Sequence, residues 1–497
     1  MKLLDCTIRD GGYYTKWDFD RDLIKSYLLL IDKLPIDYLE VGYRSIEKDE
    51  YLGEYFYLNN LTIKNIKKYT SKKLAIMINA KECIDIEQLL SGLKDDISLV
   101  RISTDPDKIE FSLKLARELK FAGFKVSINI MYITKVINSH AFFNSLKNIE
   151  TKIDFLYLVD SYGSLYPNEL ENIIKNIQRK TKVKLGFHGH NNLELAFANT
   201  LISINNGVDM IDSTILGMGR GAGNLKTELI LSHLKSKYNL DVDLNILGDL
   251  VEIFQPLLKQ YKWSTNLAYM VSGSYALPQK EVMDALEIDR YSLSGIVNYV
   301  KNDNELILPI FKFNKKCQNC LIIGGGYSVK EHCYFIKKYL EENSDMVVIH
   351  STSKYIKLFE EVNNIQLFAV SGDELLKVKE NNKIHSYVLE PRPRKVNTKL
   401  QDKHNFYELK EISFINKYFD SPLSISLQIT LDMKVEKIYL FGFDGYNQIN
   451  TKKELYLMNE SQEIINQFVK LNSNLYSLTC TRYKNIIKKS IYSDFNA

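Results

Sequence analysis

Short apolar, β-rich runs recur along the first half of the chain at a spacing of roughly 25–35 residues. They are Leu3–Cys6, Tyr38–Val41, Leu74–Ile78, Leu99–Ile102, Val126–Met131, Phe155–Val159, Val183–Phe187 and Met210–Ile211. Amphipathic segments separate them. Leu23, Ile24, Tyr27, Leu30, Ile31 and Leu34 recur at helical spacing and place one apolar stripe on a helix. Eight alternating strand and helix units in about 230 residues match a (β/α)8 barrel in size and count. From about Ile230 to Val300 the pattern turns helical without strands, as in Ile246–Tyr261 and Gln279–Leu286, which predicts a helical appendage over 231–300. Residues 301–316, mixed and charged around Pro309, read as a linker. A second α/β pattern fills 317–497. It opens on Cys320–Ile323, breaks at Gly324-Gly325-Gly326, continues as a helix through Val329, Phe335, Ile336 and Leu340, and adds strands at Met346–Ile349, Gln366–Val370, Tyr387–Leu389 and Lys437–Phe443. The expected class is α/β: a TIM barrel over 1–230 followed by a small open sheet.

Composition narrows the function classes. With 45% hydrophobic and 25% charged residues, the 497-residue chain is an ordinary globular one, far from collagenous, coiled-coil or disordered extremes. Lys+Arg 65 against Asp+Glu 61 leaves +4, too little for a dedicated nucleic-acid or anionic-membrane surface. Six scattered cysteines are unlike a secreted disulfide framework and point to a reducing cytoplasm. The opening MKLLDCTIRDGG meets Asp5 after two leucines, without the roughly 7–15-residue apolar stretch of a signal peptide. Apolar runs such as Tyr27–Ile31 fall far short of the roughly 18 residues of a membrane span. The expected setting is cytoplasmic, with no nucleic acid and no membrane insertion.

Barrel enzymes work at the C-terminal ends of their strands. There the sequence places Arg9 and Asp10, Glu40 and Tyr43, Asn79, Arg101 and Ser103, Asn129, Asp160 and Ser161, His188 and His190, and Asp212 and Thr214. Asp10, His188 and His190 form the strongest constellation. The first and seventh strand ends lie close in a closing barrel, and the i, i+2 spacing turns both imidazoles to one side. One carboxylate with two imidazoles suits a divalent first-row ion. The competing reading is that H-x-H recurs by accident and Asp10 caps a turn. The run Gly217–Asn224 leaves the eighth strand either as an anion-binding nest or as a tight structural turn. In the second half, Gly324-Gly325-Gly326 before Ser328 can cradle a phosphate at a helix N-terminus. The G-x-G-x-x-G pattern fails at Val329, and His350-Ser351-Thr352 replaces the acidic residue that would hold a ribose, so an NAD-linked dehydrogenase is disfavoured. Cys317-x-x-Cys320 has no second C-x-x-C or H-x-H nearby, which disfavours zinc there.

Four motifs carry a resemblance. Asp5-Cys6-Thr7-Ile8-Arg9-Asp10-Gly11-Gly12-Tyr13, Tyr38-Leu39-Glu40-Val41-Gly42-Tyr43-Arg44, His188-Gly189-His190-Asn191-Asn192 and Gly217-Met218-Gly219-Arg220-Gly221-Ala222-Gly223-Asn224 resemble, in that order over about 1–290, the DRE-TIM metallolyases (HMG-CoA lyase-like), in their 4-hydroxy-2-oxovalerate aldolase-like branch. The resemblance implies a TIM barrel holding a divalent metal (Mn or Mg, with Co or Zn as alternatives) on Asp10, His188 and His190. It also implies carbon–carbon bond making or breaking between pyruvate, or a related 2-oxo acid, and an aldehyde. Such an ion would polarise the 2-oxo carbonyl, and Arg9 would add a fixed positive charge beside it unless it serves only as a salt bridge at the mouth. Expected substrate contacts are Glu40, Arg101, Asp160, Asn191, Gly219 and Arg220, although Asp160 and Asn191 also read as helix caps. One departure stands out. Related pyruvate aldolases carry a histidine after R-D-G to handle the aldol hydroxyl proton, whereas this chain has Tyr13 and Tyr14, with His140 and His233 elsewhere in the barrel half. Tyr13 or a metal-activated water is left as the base.

The second half, through Gly324–Val329, Ser421-Pro422-Leu423-Ser424 and Lys437–Tyr446, looks like Rossmann-like domains distantly similar to bacterial sialyltransferases. That implies a nucleotide or nucleotide-sugar site at Gly324, Gly325, Gly326, Ser328 and Asp444, against a structural or docking role. Barrels of this family often pair, so a homodimer is an expectation by analogy, as is a place in cell-surface polysaccharide biosynthesis. Two rival functions remain: a Claisen condensation of an acyl-CoA with a 2-oxo acid, as in isopropylmalate synthase-like relatives, and a transferase in the second domain with the barrel as scaffold.

Overall fold

The computed structural model describes residues 1–80, 91–147, 149–278, 281–282, 293, 297, 307–372, 374, 383–392, 394, 405–446 and 451–493. The chain divides into two compact units, Met1–Val282 and Met283–Ala497.

In the first unit eight parallel strands close into a barrel: β1 (Lys2–Asp5), β2 (Tyr38–Tyr43), β3 (Lys73–Asn79), β4 (Ile97–Thr104), β5 (Val126–Ile130), β6 (Phe155–Asp160), β7 (Lys184–Gly189) and β8 (Met210–Ser213). Closure is made by β1 against β8, with Leu4 opposite Asp212 and Asp5 opposite Ser213. Side chains alternate between the inside and the helical shell. Leu4, Tyr38, Ala75, Leu99, Phe155, Tyr157 and Met210 fill the interior, while Leu3, Leu39, Val41, Ile76, Val100 and Ile102 pack outward against the helices. Two residues on from several of the interior set, the same strands turn Glu40, Arg101, His188 and Asp212 inward. The barrel is therefore apolar below and charged above.

The expected stripe forms helix Arg21–Ile31, capped by the Asp20 carboxylate on the Leu23 N–H and burying Ile24, Tyr27, Leu28 and Ile31. Helices Thr227–Tyr238, Leu244–Tyr261 and Leu267–Ser274 follow the barrel, and among the described residues no strand interrupts them. They pack on it. Phe254 meets Tyr27 edge-on at 5.7 Å, and Trp263 Nε1 donates to the Leu216 carbonyl at 3.0 Å. Most of Gln279–Leu286 lies outside the described residues, as does 301–306 of the expected linker. The rest of that linker is not free: Ile310 bridges to Glu408, and Phe311 N–H donates to the Glu408 carbonyl at 2.8 Å. Buried Phe311 anchors it against the second core.

The second unit is one all-parallel sheet of β9 (Asn319–Ile323), β10 (Val347–His350), β11 (Gln366–Val370), β12 (Ile384–Leu389), β13 (Phe406–Glu408), β14 (Lys437–Phe441), β15 (Leu475–Ser477) and β16 (Ile487–Lys488). Its order is β13-β12-β11-β10-β9-β14-β15-β16, so the winding reverses between β9 and β14. Both faces are buried: Ile322, Ile349, Leu367 and Leu440 on one, Leu321, Ile323, Val348 and Phe441 on the other. Three short strands, β13, β15 and β16, extend the five expected.

Inside this sheet His350 is fully buried, its Nε2 bonded to Gln366 Oε1 at 2.8 Å. Burial, only partly offset by that bond, pushes its pKa down to about 4. The unfolded chain, with an ordinary histidine near 6.5, binds the extra proton between about pH 6.5 and 4. Stability is thus fully present above that window and falls through it. Lowering the pH from 7 to 5 is expected to cost the second unit about 1–2 kcal/mol through this one group. Hydrogen exchange of β10 amides reads it, and His350→Gln should flatten the dependence; an unchanged slope in that variant would exclude His350 as its source.

Among the described residues no helix is long and apolar enough to cross a membrane.

Candidate active site

The site begins where β1 ends. The Asp5 carboxylate accepts from Thr7 N–H (2.9 Å), Tyr27 Oη–H (2.6 Å) and Thr227 Oγ1–H (2.8 Å), and fixes the start of a helix, Thr7–Thr15. The competing reading has Asp10 cap a turn here; the segment is helical, with Asp10 inside its first turn. A Cβ on Gly11 would lie 2.6 Å from Met218 Sδ, and one on Gly12 would lie 2.1 Å from the Trp17 ring, so the glycines are there for close packing. The helix carries Arg9 and Asp10 to His188.

Asp10 Oδ2 stands 3.4 Å from His188 Nε2, while Oδ1 pairs with the Arg9 guanidinium. His188 Nδ1 meets Asp212 Oδ2 at 3.0 Å, and His190 Nδ1 donates to the Asp160 carbonyl at 2.8 Å. The two rings lie edge to face, 5.0 Å apart. Oxygens thus hold both Nδ1 positions, and His188 Nε2 faces the Asp10 carboxylate. Burial pushes the Asp10 carboxyl up, but Arg9 and His188 outweigh it and hold it well below the usual carboxylate range. Burial, with His188 alongside, lowers His190 to about 3, so it is neutral. For His188, burial is outweighed by Asp10 and Asp212, which raise it.

These residues fit a divalent cation. A cation held by the Asp10 carboxylate and His188 Nε2 would find the His188 ring backed by a second carboxylate, Asp212, the arrangement that orients metal-ligating imidazoles. Asn224 adds to it. Its Nδ2 donates to Asp10 Oδ2, its Oδ1 is buried without a hydrogen-bond partner among the described residues, and a backbone bridge sets it beside His190. Cys6 Sγ lies near Asp10 and His188 as well. It donates to the Ser213 carbonyl at 3.5 Å, and burial pushes the thiol well up, which makes it a poor ligand.

Arg9, Asp10, Tyr13, His188, His190 and Arg220 line one small chamber of about 30 Å³. The Arg220 guanidinium sits 5.2 Å from the Tyr13 ring centre, and its Nε is buried without a hydrogen-bond partner among the described residues. Tyr13 Oη lies 3.1 Å from Tyr43 Oη. The other expected substrate contacts are elsewhere. Glu40 and Arg101 lie below the chamber in a buried ion network: Arg9 Nε donates to Glu40 Oε2 at 2.8 Å, Arg101 Nη1 stands 3.0 Å from the same oxygen, and Arg101 Nη2 reaches Asp212 Oδ2 at 2.6 Å. Asp160 accepts from Ser164 and Leu165 N–H and shapes the turn after β6; burial raises it to about 6. Asn191 Oδ1 accepts from Ala196 N–H at the start of helix Ala196–Asn205. Gly219 is the open space into which Asn224 fits, since a Cβ there would lie 2.4 Å from Asn224 Nδ2. Asp212, placed at the strand end by the sequence but given no role there, backs His188, and Asn224 is the member that residue-level reasoning did not single out.

The chamber shares Tyr13, Tyr43, Ser103 and Met131 with a larger cleft of about 750 Å³. In the second unit, a crevice of about 980 Å³ lies at the carboxyl ends of β9 and β14, lined by Gly324, Gly325, Gly326 and Asp444. Ser328 and Asp444 bond to each other, the Ser328 N–H at 2.9 Å and its hydroxyl on the second oxygen, so Asp444 caps the helix start expected to meet phosphate.

A closed parallel barrel with a carboxylate, two imidazoles and Arg9 and Arg220 gathered at its mouth defines a barrel of the DRE-TIM type. Residues 76–254 match the HMGL-like family, and the chain belongs to that family. It is similar to the N-terminal domain of a candidate aldolase from Bacteroides vulgatus, 44% identical, with a TM-score of 0.58 over 60% of this chain and 99% of that one. It is also similar to a 4-hydroxy-2-oxovalerate aldolase of Bacillus cereus, 27% identical over 51% of this chain and 75% of that protein. An oxaloacetate decarboxylase of Mycobacterium tuberculosis is 27% identical over 50% of this chain and 74% of that protein. At the level of the family, the chain is a metal-dependent lyase or aldolase.

Proposed function

We propose that the barrel makes or breaks a carbon–carbon bond between pyruvate, or a related 2-oxo acid, and an aldehyde, with Asp10, His188 and His190 holding a divalent ion, Mn2+ or Mg2+. The observation that carries this reading is that two imidazoles with oxygen-held Nδ1 atoms share one chamber with Asp10, Arg9 and Arg220. When bound, the ion would supply Lewis-acid polarisation of the 2-oxo carbonyl. The chain's own residues supply the rest. Arg220, whose buried Nε has no hydrogen-bond partner among the described residues, receives the substrate carboxylate. Arg9, fixed by Glu40, presents a permanent positive charge where negative charge grows. Tyr13, partly open to solvent, takes the proton of the aldol hydroxyl as its own phenolic proton passes to water; as the carbon–carbon bond breaks, that oxygen becomes the aldehyde carbonyl, and the electron pair stays on the 2-oxo acid as its enolate. A proton then restores the methyl group.

Enolisation is the step every pyruvate aldolase shares, so the test is deuterium exchange from solvent into the pyruvate methyl group, followed by NMR with Mn2+. Metal-dependent exchange is expected. Its absence with metal bound would overturn the reading, and thiol release from acetyl-CoA with 2-oxo acids would replace it with Claisen chemistry.

For the second unit the reading is a nucleotide or nucleotide-sugar site, which would suit a role in cell-surface sugar synthesis. It is supported by the crevice lying where the strand order reverses, the usual ligand position in an open α/β sheet. Saturation transfer to CMP should be seen in the intact chain. It should vanish in Gly326→Val, whose Cβ would lie 2.4 Å from Asp444 Oδ2, while pyruvate exchange persists. Transfer retained in that variant, or missing from the native chain, would remove the site.

A further inference from the structure

The proposed chemistry places the reacting end of the 2-oxo acid at the small chamber and leaves most of the larger cleft unexplained. That cleft opens directly from the chamber, since Tyr13, Tyr43, Ser103 and Met131 line both. At about 750 Å³ it is in the range of pockets that enclose drug-sized ligands, and acetaldehyde, with three heavy atoms, would fill a small corner of it.

The lining says what kind of molecule fits. On one side, aromatic rings form a continuous wall: Tyr43 lies 5.5 Å from Phe56 and 5.6 Å from Trp17. Phe111 contributes a further ring, 51% exposed although it is large and apolar. Between these rings stand hydroxyl and carboxylate groups, Ser103, Thr104 and Asp107 among them, with Lys108. The Thr104 and Ser103 hydroxyls are already bonded, to Ser112 and to the Ile78 carbonyl, whereas Asp107 and Lys108 are exposed, and a hydrocarbon aldehyde lying against that pair would displace its water without replacing the hydrogen bonds. A phosphorylated one would find, among the described lining residues, Lys108 beside the Asp107 carboxylate and no net positive charge to hold an anion. Aromatic faces interleaved with hydroxyls and carboxylates suit a neutral chain of carbons bearing hydroxyl groups, whose C–H edges lie on the electron-rich ring faces and whose O–H groups donate to the carboxylates.

From this, and resting on the proposed aldolase chemistry, we infer that the aldehyde partner is a polyhydroxylated one of about four to six carbons, an aldose bound along the cleft with its carbonyl end at the chamber. Phe111 and Asp107, both in the cleft and outside the chamber lining, set this preference.

The test uses the full chain with Mn2+ and pyruvate and compares acetaldehyde, hexanal, D-erythrose and D-arabinose, with kcat/KM expressed per free aldehyde. One or both aldoses are expected to exceed acetaldehyde at least tenfold. Phe111→Ala and Asp107→Asn should each cut that advantage at least fivefold and leave both pyruvate exchange and the acetaldehyde rate unchanged. Acetaldehyde or hexanal used as well as the aldoses would overturn the inference, as would exchange with no aldehyde consumed, or an aldose advantage untouched by both variants. A chain with metal bound but no pyruvate exchange would overturn the proposed function itself, and the inference with it.

Discussion

Replacing Asp10 by asparagine is expected to lower metal-dependent exchange of the pyruvate methyl protons by about a thousandfold or more, with the barrel still folded. The change keeps the shape and removes the charge. Oδ2 of Asp10 faces His188 Nε2 at 3.4 Å and accepts from Asn224, while Oδ1 pairs with Arg9. A neutral amide there would turn its NH2 toward other donors and offer a cation one weak oxygen. His188→Ala should have a similar effect. Asp212→Asn separates binding from positioning, because Asp212 reaches the site only through His188 Nδ1. It should weaken metal affinity about 10–100-fold and regain exchange as metal is raised, whereas Asp10→Asn should not. Folding is read independently, since both tryptophans, Trp17 and Trp263, lie in the first unit and are buried. Asp10→Asn with native fluorescence and native exchange would remove Asp10 from the site.

How far the sequence reveals this site depends on what kind of pattern places each residue. His188 and His190 follow from a period of two at the end of a strand, a purely local rule, and Asp10 from adjacency of the first and seventh strand ends. Glu40 and Arg101 obey the same alternation, so the inward direction is legible while the depth is not: both are inside the barrel, one layer too low to touch what the chamber holds. Asn224 arrives on a loop that folds back to bridge His190, and no periodicity marks it. Its only trace is the glycines around it, one of which, Gly219, leaves the space it fills. Gly11-Gly12 favours the competing reading of a turn at Asp10 until Met218 and Trp17 are seen pressing on a helix. In the second sheet, β13, β15 and β16 have two or three residues each, too few to show any alternation.

Arg101→Met is expected to destabilise the first unit by about 3–5 kcal/mol, the largest stability effect of any single change outside the metal residues. Arg101 is fully buried, 2.6 Å from Asp212 and 3.0 Å from Glu40, and its guanidinium lies flat against Tyr157 at 4.2 Å from the ring centre. Tyr157 in turn needs Gly186, where a Cβ would lie 2.3 Å from the ring. Methionine matches the volume and packs on Tyr157 but removes the one guanidinium that bridges the two carboxylates, leaving Glu40 to Arg9 alone and Asp212 to His188 alone. The cost therefore comes chiefly from two buried carboxylates that lose the cation they share, Asp212 above all because it has no other guanidinium, and only secondarily from weaker packing on the Tyr157 ring. Lysine keeps one charge, cannot hold both carboxylates with a planar fork, and should fall between. The urea midpoint followed by tryptophan fluorescence reads the first unit alone. The network also holds Arg9 through Glu40 and His188 through Asp212, so Arg101→Met should weaken metal binding even where the barrel is folded. A triple variant that also replaces Glu40 and Asp212 by their amides should recover much of the stability and none of the metal affinity. If Arg101→Met unfolds at the native midpoint, the two carboxylates do not depend on this cation.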